Sequence, residues 1–269
     1  MKGLSRRDWL AALAAWTAWR LAGREARADG PAWPVRVSSG PFHCASEAPL
    51  GGIANLFDEL ASLQRELTRT LALPAAQTPI EVLIFATENS HRSYLQRHFP
   101  RVPYRRALYV QRGGNGAVFA YMHPELTIDL RHECTHALMH AELAMVPLWL
   151  DEGLAEYFEV AATERAFGHP HLPRLRWDLR LGRGRSLESL ENQHDLAAMG
   201  ATEYRFAWAW VHFMLHGPQP AHQQLVDYLG DIRRGNPPGR LSERLRSAVP
   251  QLEQKMASHF RQWQSRSHA

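Results

Sequence analysis

The chain has 269 residues, of which 45% are hydrophobic and 22% charged, with 18 Gly, 17 Pro and only two Cys. That size allows one ordinary domain or two small ones, and the composition excludes a collagenous, disordered or disulfide-built protein. The formal net charge of +4 is carried entirely by the first 28 residues, where Lys2, Arg6, Arg7, Arg20, Arg24 and Arg27 face only Asp8 and Glu25, so the remainder is neutral and gives no ground for a nucleic-acid partner.

Residues 1–28 read as a twin-arginine-type signal peptide. Arg6 and Arg7 precede an apolar stretch of about eleven residues, too short to span a bilayer, and Ala26, Arg27 and Ala28 form an Ala-x-Ala end suited to cleavage after Ala28. Export of a folded, metal-loaded chain to the periplasm or beyond is the expectation, with no permanent membrane span. Residues 29–269 are expected to form one α+β domain with two lobes: a small mixed sheet with helices over 29–126, and a mainly helical lobe over 127–269.

Val35 to Phe42 has the apolar look of a strand, and Ile53 to Leu73 carries apolar residues at helical spacing before Pro74. Ile80 to Phe85 suits a buried strand, and Ser90 to His98 a short helix. Ala107 to Val110 and Ala117 to Met122 flank Gly113, Gly114, Asn115 and Gly116, a hairpin signal.

A helix over Thr127 to Leu143 has an apolar back, with Leu130, Cys134, Ala137, Leu138 and Ala141, and a polar front, with Asp129, His132, His136 and His140. Cys134 therefore belongs to the core, and a Cys44–Cys134 bridge is permitted but not required. Pro147 separates this helix from a second over Leu148 to Thr163. After the Pro- and Arg-rich stretch Pro170 to Arg185, Thr202 to Leu215 is a strongly apolar helix whose His212 and His216 read as packing or surface residues. Asn236 to Gly239 form a loop before a helical tail that includes Leu252 to Trp263.

The chemistry concentrates in His132, Glu133 and His136, the spacing His-Glu-x-x-His. Residues four apart share a helix face, so two imidazoles can grip one cation while Glu133 stands beside it. The motif alone is a weak signal; its context strengthens it, since it lies in a helix that follows a strand and precedes a carboxylate-bearing helix. His140, eight residues from His132, lies about 12 Å along the axis and cannot share that cation. A third ligand six residues after His136, in the metzincin manner, is excluded because Glu142 stands there and Met139 replaces the required Gly. Asp151, Glu152, Glu156 and Glu159 remain open on residue type.

Trp149 to Tyr157, WLDEGLAEY, following that motif, resembles the gluzincin metallopeptidases, and the arrangement of most of the chain is similar to their small bacterial peptidase-MA-like members. The resemblance implies a zincin-like fold and one Zn2+ per chain, held by His132, His136 and Glu152. It implies Glu133 as general base, Glu156 as the carboxylate that orients a ligating imidazole, and Tyr204, in the run Tyr204 to Trp208, as donor to the tetrahedral intermediate. The large aminopeptidases carry a glutamate-bearing strand where this chain has Gly116 to Ala120, so aminopeptidase specificity is unsupported.

The expected activity is zinc-dependent hydrolysis of a peptide or protein substrate, with an extended peptide pairing along the Ala117 to Met122 strand. A zinc-binding envelope protein without turnover, and a hydrolase of non-peptide amides, are the alternatives; retention of Glu133, which metal binding does not need, speaks against the first. Asn89 to Pro124 contains no acidic residue but six arginines, Arg92, Arg97, Arg101, Arg105, Arg106 and Arg112. A solvated surface accounts for such a run; selection of an acidic substrate or an anionic envelope partner is the functional alternative.

Overall fold

A computed structural model describes residues 33–53, 55–112 and 115–263. The signal read in residues 1–28 lies outside the described residues. The fold is mixed α+β. Five strands, β1 (Val35–Ser39), β2 (Phe42–Ser46), β3 (Ile80–Phe85), β4 (Ala107–Arg112) and β5 (Asn115–Tyr121), form one sheet in the order β1-β2-β3-β5-β4. The central pairs β2–β3 and β3–β5 are parallel, and both flanking pairs are antiparallel.

The segment read as a single strand from Val35 to Phe42 is a hairpin instead. Ser39 pairs with Phe42, leaving Gly40 and Pro41 as the turn, and Gly40 takes φ +56°, a backbone state that glycine adopts without steric cost. Apolar content alone could not reveal that reversal.

Helix α1 (Leu56–Leu71) crosses from β2 to β3 and buries Leu56, Leu60, Leu63, Leu67 and Leu71, one stripe at spacings of three and four. Helix α2 (Glu88–His98) starts at a reciprocal Thr87–Ser90 cap and packs on the other side of the sheet. Strand alternation separates the two faces. Ile80, Val82 and Ile84 of β3 and Val118 and Ala120 of β5 join the main core with α1, whereas Phe85 and Phe119 face α2 with Leu95 and Phe99. A Leu-to-Ala change in that main core would cost about 2–5 kcal/mol.

The helical part comprises α3 (Leu126–His140), α4 (Leu148–Phe158), α5 (His171–Arg180), the short α6 (Leu187–Glu191), α7 (Ala201–His216), α8 (Gln219–Arg233), α9 (Leu241–Ala248) and α10 (Leu252–Gln262). Helix α3 lays Leu126, Leu130, Cys134, Ala137 and Leu138 into the main core, which continues through α4 and α7. Cys44 and Cys134 are both free and buried, with no bridge, and burial pushes the Cys44 thiol up to about 12. Helix α5 lies in the stretch marked above as Pro- and Arg-rich, and α8 in a segment for which no element is predicted above. Pro173 sits in the first turn of α5 and Pro220 in that of α8, where the missing N–H has no intrahelical partner to lose.

Gly153 sets the distance between α4 and α7: a Cβ there would lie 2.7 Å from the Ala207 carbonyl oxygen. Among the described residues, no helix is long and apolar enough to cross a membrane.

Candidate metal centre

His132, His136 and His140 form successive steps of one stripe on α3, and α4 lies across it. Asp151 meets His136 and His140, Glu152 meets His132 and His136, and Glu159 meets His132. Partners step backwards along α3 as α4 advances, so the two helices run antiparallel. The link from Ala141 to Pro147 is short enough to enforce that return, and Pro147 caps α4 without interrupting it.

The Glu152 carboxylate, buried at 5% exposure, points into the gap between the imidazoles. Its Oε2 lies 3.5 Å from His132 Nε2 and 4.0 Å from His136 Nε2, and one ligand atom from each of the three residues lies within 4.8 Å of the other two. In a tetrahedral site with bonds near 2.1 Å, ligand atoms stand about 3.4 Å apart. The trio therefore fits a small divalent cation with little movement. Two other trios, His136–His140–Asp151 and His132–Glu156–Glu159, overlap it. In each, a carboxylate already lies 2.9 to 3.1 Å from an imidazole nitrogen, within hydrogen-bonding distance.

These contacts instead orient the imidazoles. Glu159 Oε2 lies 2.9 Å from His132 Nδ1, and Asp151 Oδ1 lies 3.0 Å from His136 Nδ1, so on both rings a carboxylate faces Nδ1 and leaves Nε2 turned to the gap. Asp151 Oδ2 completes a bridge to His140 Nε2 at 3.1 Å. Here the structure corrects the expectation for Glu156: its carboxylate is bound 2.7 Å from His171 Nε2, and the imidazole contact belongs to Glu159.

Burial would lower the pKa of His132, yet hydrogen bonds to Glu152 and Glu159 raise it well above the ordinary value; His136 is likewise raised against burial by Asp151. Burial would raise Asp151, but the combined attraction and hydrogen bonds of His136 and His140 hold it well below the usual carboxylate range. The field of the site thus favours a positive charge at its centre, which a proton or a metal cation can supply.

Glu133 projects from α3 towards the sheet, where its Oε2 accepts the Tyr109 N–H at 2.7 Å. Tyr109 belongs to β4, and its ring stacks along His136 and His140 at 6.4 and 5.8 Å. Since the Tyr109 amide points off the sheet, the backbone groups of Ala107 and Gln111, two residues either side, face the same way. This changes the expected docking strand. β5, the Ala117 to Met122 strand, is enclosed between β3 and β4, and the free edge beside the candidate centre is β4.

Tyr204 sits in the first turn of α7, near enough to Glu152 and Arg105 to feel both charges. Burial and the nearby Glu152 push its hydroxyl up to about 12, so it remains a protonated donor at neutral pH. The structure therefore gathers His132, Glu133, His136, Glu152 and Tyr204 at one place, with Glu156 nearby but hydrogen-bonded to His171. Asp151 and Glu159 had been weighed only as ligands, and Tyr109, Arg105 and His171 were not singled out for the site. One clue existed for Glu159: seven residues beyond Glu152, it returns to the same helix stripe. No family model matches this sequence, and no curated protein matches it.

Proposed function

We propose that this chain is a zincin-like metallopeptidase of the gluzincin type, holding one zinc ion through His132, His136 and Glu152. The observation that carries the reading is the convergence of two carboxylate-oriented imidazoles and a buried third carboxylate beside Glu133 and a free strand edge. Bound there, zinc would supply a Lewis acid that polarises the scissile carbonyl and lowers the pKa of water towards about 7.

Glu133 removes the proton of the attacking water and passes it to the leaving amine, held in place by the Tyr109 amide. Tyr204 donates a hydrogen bond to the carbonyl oxygen as negative charge gathers on it. An extended peptide pairs with the outward-facing backbone groups of β4, which favours peptides over other amides. The leader, with Arg6 and Arg7, supports action outside the cytoplasm.

Replacing Glu133 by Gln tests the reading. The variant is expected to bind one zinc per chain with unchanged affinity while peptide cleavage falls at least about a hundredfold, as loss of a general base implies. Undiminished cleavage by the metal-replete variant would refute the assignment, and purified wild-type protein that binds no transition metal would remove the enzyme altogether.

A further inference from the structure

The Pro- and Arg-rich stretch from Pro170 to Arg185 forms α5 and its C-terminal turn, and the first residue of that helix, His171, binds Glu156 near the candidate centre. Of the tryptophans among the described residues only Trp177, on α5, is exposed, at 52%, and Leu181, four residues on, is exposed at 47%. At 100° per residue Pro173, Arg174, Arg180 and Leu181 all lie within about 60° of Trp177, and every one of them is exposed. Leu172, Leu175 and Asp178 lie on the other side of the helix and are buried. The outward face of α5 is thus a small apolar tip set among arginines.

The arginines of this stretch are unevenly matched. Arg174 and Arg205 share the buried Asp178 at 3.3 and 2.8 Å, Arg176 donates to the Phe260 carbonyl at 3.2 Å, and Arg185 pairs with Glu203 at 3.6 Å. Asp178 is the one carboxylate between Pro170 and Arg185. Arg180 and Arg183 are exposed and have no ion pair among the described residues. Arg183 is fixed beside Leu181, because its N–H donates to the Asp178 carbonyl at 2.9 Å and the Gly182 N–H to that of Leu179 at 3.3 Å. With Gly182 at φ +68°, this is a Schellman-type helix end.

We propose that this face of α5 is a peripheral docking surface for an anionic lipid bilayer, with Trp177 and Leu181 entering the headgroup layer and Arg180 and Arg183 pairing with lipid phosphates. Tryptophan favours that layer because its ring is apolar and its N–H polar, and the guanidinium fork matches phosphate. Two apolar side chains are too few for the core of a specific protein interface, which buries about 800 Å² per partner, but a shallow apolar tip with basic flanks suffices for reversible attachment to lipid. Because α5 begins at His171, bound to Glu156, attachment brings the candidate metal centre to the membrane surface. It requires neither a membrane-spanning helix nor bound metal.

The test is co-sedimentation of the purified full chain with vesicles of phosphatidylcholine alone, or of equal parts phosphatidylcholine and phosphatidylglycerol. The chain should pellet with the anionic vesicles, bind the neutral ones far more weakly, and be released from the anionic ones by high salt, which screens the arginines. Trp177→Ser should weaken partitioning about tenfold or more, as returning a large apolar side chain to water implies, and Arg180→Gln and Arg183→Gln about fivefold each. Circular dichroism and zinc affinity should not change in any of the three. Anionic-vesicle binding that all three variants retain would belong to another part of the chain, such as the basic leader, and would overturn the assignment. Equal binding to both kinds of vesicle, or binding to neither, would overturn it as well. A dimer that Trp177→Ser dissociates, without vesicle binding, would also overturn it and name a second copy of the chain as the occupant of this face.

Discussion

Glu159 and Glu156 offer the sharpest test of how the imidazoles are held. In the antiparallel pair of α3 and α4, Glu159 contacts His132 Nδ1 at 2.9 Å, while Glu156 is committed to His171 at 2.7 Å. A carboxylate behind a ligating imidazole fixes its tautomer and increases its basicity, and losing one costs about 10–100-fold in metal affinity. That corresponds to about 1.4–2.7 kcal/mol. Glu159→Gln should fall in this range, because the amide keeps the shape and a hydrogen-bond acceptor but not the charge. Glu156→Gln should change affinity less than about threefold, since its partner is not a ligand. Competition with a zinc-sensitive chelating dye on purified protein measures both, and circular dichroism checks that the helices persist. If Glu156→Gln weakens binding as much as Glu159→Gln or more, the assignment of roles on α4 is wrong.

Two further expectations concern the frame around the site. Gly153→Ala should destabilise the fold by about 1–3 kcal/mol, because the new methyl would lie 2.7 Å from the Ala207 carbonyl oxygen, a backbone atom that cannot swing aside; an unchanged urea midpoint would contradict the close approach of α4 and α7. His91, fully buried against the sheet, is lowered from 6.5 to about 4 chiefly by burial, so it stays neutral when folded but takes up a proton when unfolded as pH falls below 6.5. Its contribution is present above that pH and lost on acidification, so His91→Phe should gain roughly 2 kcal/mol on the wild type between pH 7.5 and 5. Urea midpoints at the two values measure it, and a difference that does not change with pH would refute the argument.

What could be read from residues alone depended on whether a local pattern had a single structural answer. The Leu56 to Leu71 stripe did, because only a helical period fits it, and the Ile80 to Phe85 run did through its shortness and its flanking Pro79. The Ser39 to Phe42 reversal did not, since Gly40 in an apolar-rich segment marks a turn only when the chain on both sides pairs. In the helical part, the Pro- and Arg-rich composition around Pro173 gave no helical signal, although Pro173 and Pro220 each sit in the first turn of a helix, where proline is tolerated. Sheet order was equally hidden. The hairpin of β4 and β5 was legible from its glycines, but which strand remained at the edge depended on β5 pairing in parallel with β3, a long-range choice that no local pattern encodes.

The same limit explains why the candidate ligands could be narrowed by sequence while the carboxylates behind them could not. His132 and His136 share a face whatever else the chain does, because four residues on a helix leave no alternative. Glu156 and Glu159 both lie near the stripe of Glu152, about 40° to one side and 20° to the other at 100° per residue, and the helix alone scarcely separates them. The crossing decides it. Antiparallel packing brings the end of α4 over His132, where Arg131 of α3 also reaches the Glu159 carbonyl, while His169 and His171 engage the Glu156 carbonyl and carboxylate. A stretch that composition marks only as Pro- and Arg-rich thereby binds the carboxylate that the gluzincin resemblance implied for a candidate ligand. The role moves one turn along α4 to Glu159, and the imidazole keeps its partner.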